Sequence, residues 1–373
     1  MRVLITGTLG YVGAVVVPHL RQLLPDSELL GFDTGLFGAC LTTTDRAPET
    51  LLSAQYFGDV RELPASLLQG VDTVVHLAAI SNDPIGNRYE QVTDEINRAA
   101  SLRLAAMAST AGVRNFVFAS SCSVYGAGGH SAKHENDALN PLTAYARSKV
   151  MTEQALQAMN QDRMKITCLR FATACGMSDR VRLDLVLNDF VACALSTGTI
   201  TVLSDGTPWR PLIDVRDMAR GIEWAMFRPV EQGGKVLVVN VGSANANYQV
   251  RELAEAVAAV VPGTSVNINA AAPPDARSYQ VDFSLFRQLA PNHVPLTSLW
   301  DSIGALVRGL RDIGFDDANF RNSRKMIRLN TVASLVEADR LSAELRWRLQ
   351  TEGAAGRGRE QSAGPTDAAE AVA

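Results

Sequence analysis

Tyr145 and Lys149 stand four residues apart in the stretch LTAYARSKVMTEQAL, from Leu142 to Leu156. In a helix that spacing puts both side chains on one face, one turn apart. The pair is either an exposed aromatic beside a solvated lysine or an acid/base whose ionisation the lysine tunes. A free tyrosine titrates near 10, so a phenolate at neutral pH costs about 4 kcal/mol unless positive charge stabilises it. A phenolate so stabilised could take the proton of a substrate hydroxyl. The rest of the chain has to decide between the two readings.

A second constellation lies at the start of the chain. VLITGTLGYVG places Gly7, Gly10 and Gly13 after a strand-like run and before a helical one, with Leu9, Tyr11 and Val12 between them. Missing side chains let backbone approach a pyrophosphate, whose charge then sits at a helix N-terminus. Asp33 in LLGFDTG follows at the end of the next strand-like run. A carboxylate there accepts hydrogen bonds from both adenosine ribose hydroxyls. It also repels a 2′-phosphate by about 4 kcal/mol per charge pair at 4 Å, which favours NAD over NADP. Asp59 and Val60 in FGDVREL suit the amino group and face of an adenine. Leu77, Ala78 and Ala79 in VVHLAAISNDP are small or apolar enough for close dinucleotide approach, and His76 before them reads as a packed residue at a strand end.

These residues need elements to hold them. RVLIT, LLGF, TVVHLA, NFVFAS and KITCLRF read as strands, and Tyr11 to Leu24, Tyr89 to Ala111 and Leu142 to Met159 as helices. The alternation of nearly all-apolar strands with helices predicts an α/β fold, a doubly wound parallel sheet of the Rossmann type covered on both faces. We expect this domain over residues 1–178, with a later strand near 235–242 returning to it. A smaller substrate-binding lobe is expected over 179–315. Helices around Leu299 to Ile313 and Thr331 to Leu349 end the ordered part, the second in a helical extension spanning 316–352. The small, polar stretch 353–373 reads as disordered.

Composition removes several classes of function. The 373 residues are 47% hydrophobic with net charge -4, and no basic run interleaves with aromatics, so no nucleic-acid partner is expected. The apolar runs are too short to span a bilayer. Strand-like residues begin directly after Met1, leaving no signal peptide. Five cysteines without CxxC spacing, and five histidines without HxxxH or HExxH pairs, predict a reducing compartment, no disulfide framework and no metal site. A cytoplasmic location is expected.

The glycine triplet, FASSCSVYG at a strand end, and Tyr145-Ala146-Arg147-Ser148-Lys149 some twenty residues later occur in an order that resembles the extended short-chain dehydrogenase/reductase superfamily. In particular the chain resembles its NAD-dependent nucleotide-sugar epimerases and dehydratases, over roughly Met1 to Ile313. The resemblance implies a Rossmann domain, a sugar-nucleotide lobe and a homodimer through a four-helix bundle. It implies Tyr145 as acid/base, Lys149 on the nicotinamide ribose, and Ser121 as the hydroxyl bonded to the reacting sugar oxygen. Asn97 in EINRAAS matches an asparagine near the cofactor, and Ser81 a serine that touches substrate. In VLSDGTPWRPLIDVRD, Arg210 matches an arginine on the substrate diphosphate. PPDARSYQVDFS places Asp275 and Arg277 near the nucleotide. Each basic residue is otherwise an ordinary surface charge. Asn188 in LVLNDF is either a substrate contact or a solvated helix position.

Departures from the family narrow the chemistry. Sugar 4,6-dehydratases carry adjacent Asp and Glu after the catalytic hydroxyl, where this chain has Cys122 and Ser123. Without those carboxylates, simple 4,6-dehydration is disfavoured. Some relatives use a cysteine at the position of Ser123; Cys122, one place earlier, is either a small packed residue or a substrate-facing proton donor. Where many members have an asparagine and a tyrosine, this chain has Thr173 or Ala174 and Cys175, so sugar specificity does not carry over from them. Acidic selection at the ribose fits an epimerase that retains NAD, oxidising and re-reducing its sugar, with C4 as the first candidate carbon. A nucleotide-keto-sugar reductase or a dehydrogenase that stops halfway is the enzymatic alternative, and a non-catalytic dinucleotide-binding scaffold the alternative of another class.

Overall fold

The structure is a computed structural model and describes residues 1–348 apart from 44–45, 82, 128–130, 160–162 and 273–277. Its strands are β1 (Arg2–Thr6), β2 (Glu28–Asp33), β3 (Ala54–Phe57), β4 (Thr73–His76), β5 (Asn115–Ser121), β6 (Lys165–Phe171), β7 (Thr173–Cys175), β8 (Thr199–Val202), β9 (Trp209–Asp214), β10 (Val236–Val241), β11 (Asn247–Gln249) and β12 (Ser265–Ile268). Seven of them form one sheet in the order β3-β2-β1-β4-β5-β6-β10. Every pair in it is parallel. The chain leaves β1 toward β2 on one side and later returns to place β4 on the other. This reversal opens a crevice at the carboxyl ends of β1 and β4, where such sheets take their ligands.

Central strands are buried on both faces, as β4 and β6 are along their whole length. Separate apolar clusters cover the two faces, one containing Val16, Val17, Leu20 and Ile222 and the other Leu104, Ala105, Leu156 and Ile166. Burying each Val, Leu or Ile side chain among them contributes about 1.5–3 kcal/mol, so these layers dominate the stability of the platform. Strand β3 escapes the apolar-run criterion because it is the sheet edge: Phe57 is 68% exposed and no residue of AQYF is fully buried.

A three-stranded sheet, β11-β9-β7, and the pair β12-β8 belong to the smaller lobe. The helices Val186–Ser196, Val250–Val260 and Leu299–Asp312 close a third apolar cluster there. Among the described residues no helix is long and apolar enough to cross a membrane.

Two helices differ from the sequence reading. The Tyr89 to Ala111 segment is broken into Glu90–Asp94, a wider π turn at Glu95–Ala99, and Ala100–Thr110. The C-terminal extension is less helical than its pattern suggests, because its helix Arg328–Glu337 ends twelve residues before Leu349. Asp339 takes a left-handed conformation (φ 54°), and the N–H groups of Arg340 and Leu341 both fold back onto the Leu335 carbonyl. The chain then reverses through an antiparallel bridge between Leu341 and Trp347. Residues 349–373, including the tail read as disordered, lie outside the described residues.

Candidate active site

A cavity of about 890 Å³ runs along the carboxyl edge of the main sheet and under the smaller lobe. Gly7, Gly10, Tyr11, Val12 and Gly13 form one wall. Gly7 has φ +80°, and a Cβ there would lie 2.7 Å from the Ala78 nitrogen. A Cβ on Gly13 would lie 2.3 Å from the Gly7 carbonyl oxygen, so the turn closes only without side chains. Leu77, Ala78 and Ala79 face this turn from the end of β4 and line the same cavity. Gly10 presents bare backbone to the cavity just before the helix that starts at Gly13, so the cradle fits the close approach of a dinucleotide pyrophosphate.

Asp33 lines the cavity at the end of β2 and ties the turn together. Its carboxylate accepts from the N–H of Leu9 at 3.0 Å and of Gly35 at 2.7 Å. Burial raises its pKa, against the opposing pull of those two N–H groups. Leu9 itself does not line the cavity: its side chain is packed in the core and only its N–H serves the site, through Asp33. Val60 and Asp59 both line the cavity. The Asp59 carboxylate, however, accepts from the Arg61 backbone N–H at 2.8 Å and from the guanidinium Nη2 at 2.6 Å. Burial opposes its charge, but these bonds hold the carboxyl below its ordinary pKa. Asp59 is thus committed to Arg61, and Val60 is the residue that offers an apolar face.

Thr143 starts the helix Ala144–Ala158 by accepting from the Ala146 N–H at 3.2 Å and donating to Asp83 at 2.8 Å. This cap sets the first turn, in which Tyr145 stands, and Lys149 follows one turn on; both line the cavity. Ser121 ends β5 beside them, and its hydroxyl is hydrogen-bonded to the Tyr145 phenol. Burial pushes the phenol up to about 12, opposed first by that Ser121 bond. Lys149 Nζ lies 5.5 Å from the centre of the Tyr145 ring, donates to the Ala119 carbonyl at 2.6 Å and sits 4.6 Å from the centre of the Phe118 ring. Burial pushes Lys149 down to about 8, with Glu153 opposing. The sequence leads one to expect Lys149 and the positive nicotinamide ring together to acidify the phenol. Burial alone favours the neutral phenol and weakens, without removing, the Lys149 charge at neutral pH.

Ser81, Ser123 and Arg210 also line the cavity. The Ser123 Oγ is buried and has no hydrogen-bond partner among the described residues. Arg210 donates to the Trp209 carbonyl at 2.8 Å. Three expected site residues point elsewhere. Cys122 is fully buried, and its thiol donates to the Arg170 carbonyl at 3.1 Å. The turn Cys122–Tyr125 rotates it into the core while Ser121 and Ser123 face outward, and burial drives its pKa well up. It is a packed residue, not a substrate-facing proton donor. Asn97 sits in the π turn, fully buried, accepting from the Ile80 N–H at 2.8 Å and donating to the Ile80 carbonyl at 3.0 Å. It fixes the loop that carries Ala79 and Ser81 rather than lining the cavity. Asn188 is likewise buried, accepting from the Gly176 N–H at 3.0 Å and donating to the Arg182 carbonyl at 2.8 Å. Asp275 and Arg277 lie outside the described residues.

The cavity also contains residues that motif reading missed. Arg182 lines it with its side chain 9% exposed, paired with Asp184 at 2.9 Å and reaching Ser81 Oγ at 3.3 Å. Its positive charge lowers the pKa of the Tyr145 phenol. Burial opposes that charge, but Asp184 keeps the guanidinium above its ordinary pKa. The signal was present as RVRLD, two arginines and an acid in an otherwise apolar run. Tyr279 lines the cavity near Arg210 and hydrogen-bonds Thr173.

Comparison with known proteins agrees with this geometry. The NAD dependent epimerase/dehydratase family matches residues 3–242. A protein of Bacillus subtilis (strain 168) named an uncharacterized UDP-glucose epimerase, YtcB, is 30% identical over 255 residues, covering 65% of this chain and 77% of its own. A UDP-glucose 4-epimerase of Lactobacillus helveticus is 26% identical over 281 residues, covering 70% of this chain and 82% of its own. The crystal structure of the UDP-glucuronic acid 4-epimerase of Bacillus cereus, in complex with UDP-glucuronic acid and NAD, superposes with a TM-score of 0.71 at 23% identity, covering 84% of this chain and 100% of its own. With a glycine cradle at one end of the cavity and a capped Tyr-x-x-x-Lys helix in its wall, the chain belongs to the NAD dependent epimerase/dehydratase family, and NAD is its cofactor.

Proposed function

We propose that this protein is a nucleotide-sugar epimerase that inverts one carbon of its substrate, C4 being the first to test, and returns the cofactor unchanged. The observation that carries the reading is one continuous cavity joining the glycine cradle to Ser121, Ser123, Tyr145 and Lys149 and then to Arg210. The names of the bacterial relatives, UDP-glucose epimerases, support a UDP-hexose as the substrate class. NAD, when bound, supplies the hydride acceptor and a positive ring. Tyr145 takes the proton of the reacting hydroxyl and later gives it back, and Ser121 holds that oxygen against the phenol. Lys149 turns from the Ala119 carbonyl toward the nicotinamide ribose. At neutral pH a phenol titrating near 12 is a base only at a cost of about 7 kcal/mol, so the cations Lys149 and Arg182 must act on it in the loaded site. Ser123, with a buried hydroxyl to offer, bonds the sugar, and Arg210 meets the diphosphate. Uncharged residues at 122 and 123 leave those two positions without the carboxylates that a 4,6-dehydratase places there, which favours epimerisation over dehydration.

The protein is read as a cytoplasmic homodimer. Incubation with UDP-glucose, UDP-glucuronic acid and their C4 epimers, followed by proton NMR of the anomeric region, tests the activity. Interconversion of one pair without added reductant supports the proposal; a stable oxidised sugar with accumulating NADH replaces it with a dehydrogenase.

A further inference from the structure

The C-terminal extension is not an appendage to the lobe. Arg328 and Leu345, from either end of it, line the cavity. Between Leu341 and Trp347 the chain forms a short reversal closed by a bond from the Ser342 N–H to the Arg346 carbonyl at 2.9 Å. The reversal lies across the loops that follow β2 and β3. The Trp347 indole N–H donates to the Thr34 carbonyl at 2.6 Å, beside Asp33. Arg61, the residue that engages Asp59, donates to the Glu344 carbonyl at 2.9 Å. Arg346 pairs with Glu62 at 2.5 Å and lies 3.9 Å from Asp59.

Leu345 is the informative residue. It holds φ 55°, a left-handed conformation that a branched side chain adopts at a cost. That strain directs the side chain inward, where it is 1% exposed and belongs to the apolar cluster of Phe32, Val60 and Leu63. At the other end of the extension, Arg328 is 2% exposed, donates to the Arg180 carbonyl at 2.7 Å and stacks 5.1 Å from the centre of the Phe37 ring. The two anchors grip the loops that carry Asp33, Asp59 and Val60.

We propose that residues 320–348 complete the cofactor site, with the Leu341–Arg348 reversal forming the outer wall of its adenosine end and slowing release of the dinucleotide. The inference rests on the reading that the Asp33 end of the cavity receives the adenosine half. It fits an enzyme that must hold one cofactor through both halves of a reaction. Leu345 supplies apolar wall continuous with Val60, and the Trp347 bond pins that wall to the β2 loop.

The test uses the full chain carrying Leu345→Gly, which removes the side chain and suits a positive φ, or Trp347→Phe, which removes the indole N–H and keeps a smaller aromatic ring. Binding of NAD, AMP and nicotinamide mononucleotide is titrated calorimetrically beside Asp33→Asn as a marker of the adenosine end, with thermal unfolding as the check on folding. Leu345→Gly should weaken NAD and AMP about tenfold, as loss of a buried apolar contact implies, and leave nicotinamide mononucleotide unchanged. Trp347→Phe should speed NAD dissociation several-fold. If Asp33→Asn weakens AMP while cooperatively folded Leu345→Gly and Trp347→Phe bind it like the parent, the extension is a structural cover and the proposal falls. If Asp33→Asn leaves AMP binding unchanged, the adenosine end lies elsewhere and the proposal falls with the reading beneath it.

Discussion

Burial acts on the Tyr145 phenol and the His76 imidazole in the same sense, favouring the neutral ring, yet the two serve different ends. Tyr145 opens onto the cavity, where its proton can be exchanged with a substrate hydroxyl. Tyr145→Phe should therefore lower kcat by at least about a hundredfold while NAD affinity stays within twofold; an unchanged kcat would remove the phenol from the chemistry. His76 is sealed between Thr6 and Ser101 at 2.7 and 2.8 Å. Because Ser101 donates its hydroxyl to the Asn97 carbonyl at 2.6 Å, it must accept from His76, which fixes the N–H on Nε2. Burial pushes the His76 pKa down to about 3, with the nearby Lys149 charge acting in the same direction. The unfolded chain binds the proton first, so this stability is complete above pH 6.5 and drains as pH falls toward 3, by about 1.4 kcal/mol per pH unit. Replacing His76 by Gln, which can still bridge two hydroxyls, should flatten the decline of unfolding free energy between pH 6 and 4; parallel denaturation curves would contradict the assignment.

Among elements, the glycine turn and the capped helix were legible because each demands particular residues at fixed offsets. Gly13 shows how strictly. Alanine there would gain about 1 kcal/mol of helix propensity, but its Cβ would sit 2.3 Å from the Gly7 carbonyl oxygen, and overpacking of that kind costs about 1–3 kcal/mol. Gly13→Ala should lower the unfolding midpoint and weaken NAD at least about tenfold; parent-like titration curves would mean the cradle tolerates a side chain. Other features were not legible. The edge strand β3 has no apolar run because only part of it meets the core. Motif position puts Cys122, Asn97 and Asn188 among the site residues, but spacing does not tell which way a tight turn or a π turn faces, and all three face inward. Ser121 and Ser123 are two apart in the same turn and face out. The extension reads as a longer helix because Leu341, Leu345 and Arg348 continue its pattern, whereas Asp339 breaks it and Leu345 packs against the β3 loop.

Across the whole molecule, the doubly wound sheet was legible from strand alternation, and the cavity follows from where its chain order reverses. Leu345 was hidden because it reaches the cavity from a segment remote in sequence from every motif, whereas Arg182 stands between Cys175 and Asn188 with only the charged pattern RVRLD to mark it. The face of the Ala144–Ala158 helix away from the sheet carries Met151 at 47% exposure, which suits a helix-to-helix contact between two copies. Light scattering on the eluted protein should give about twice the 40.1 kDa chain mass, and Met151→Glu should shift it toward one chain; a monomer at micromolar concentration would contradict the dimer. The most direct test of the central claim follows a nucleotide sugar and the cofactor together. Purified protein loaded with NAD is given a panel of UDP-hexoses, the sugars are read by NMR, and absorbance is followed at the reduced-nicotinamide band. An equilibrium mixture of two epimers with no net reduced cofactor is the result expected of an epimerase. Stoichiometric accumulation of reduced cofactor with an oxidised sugar, or no conversion of any member of the panel, would contradict it.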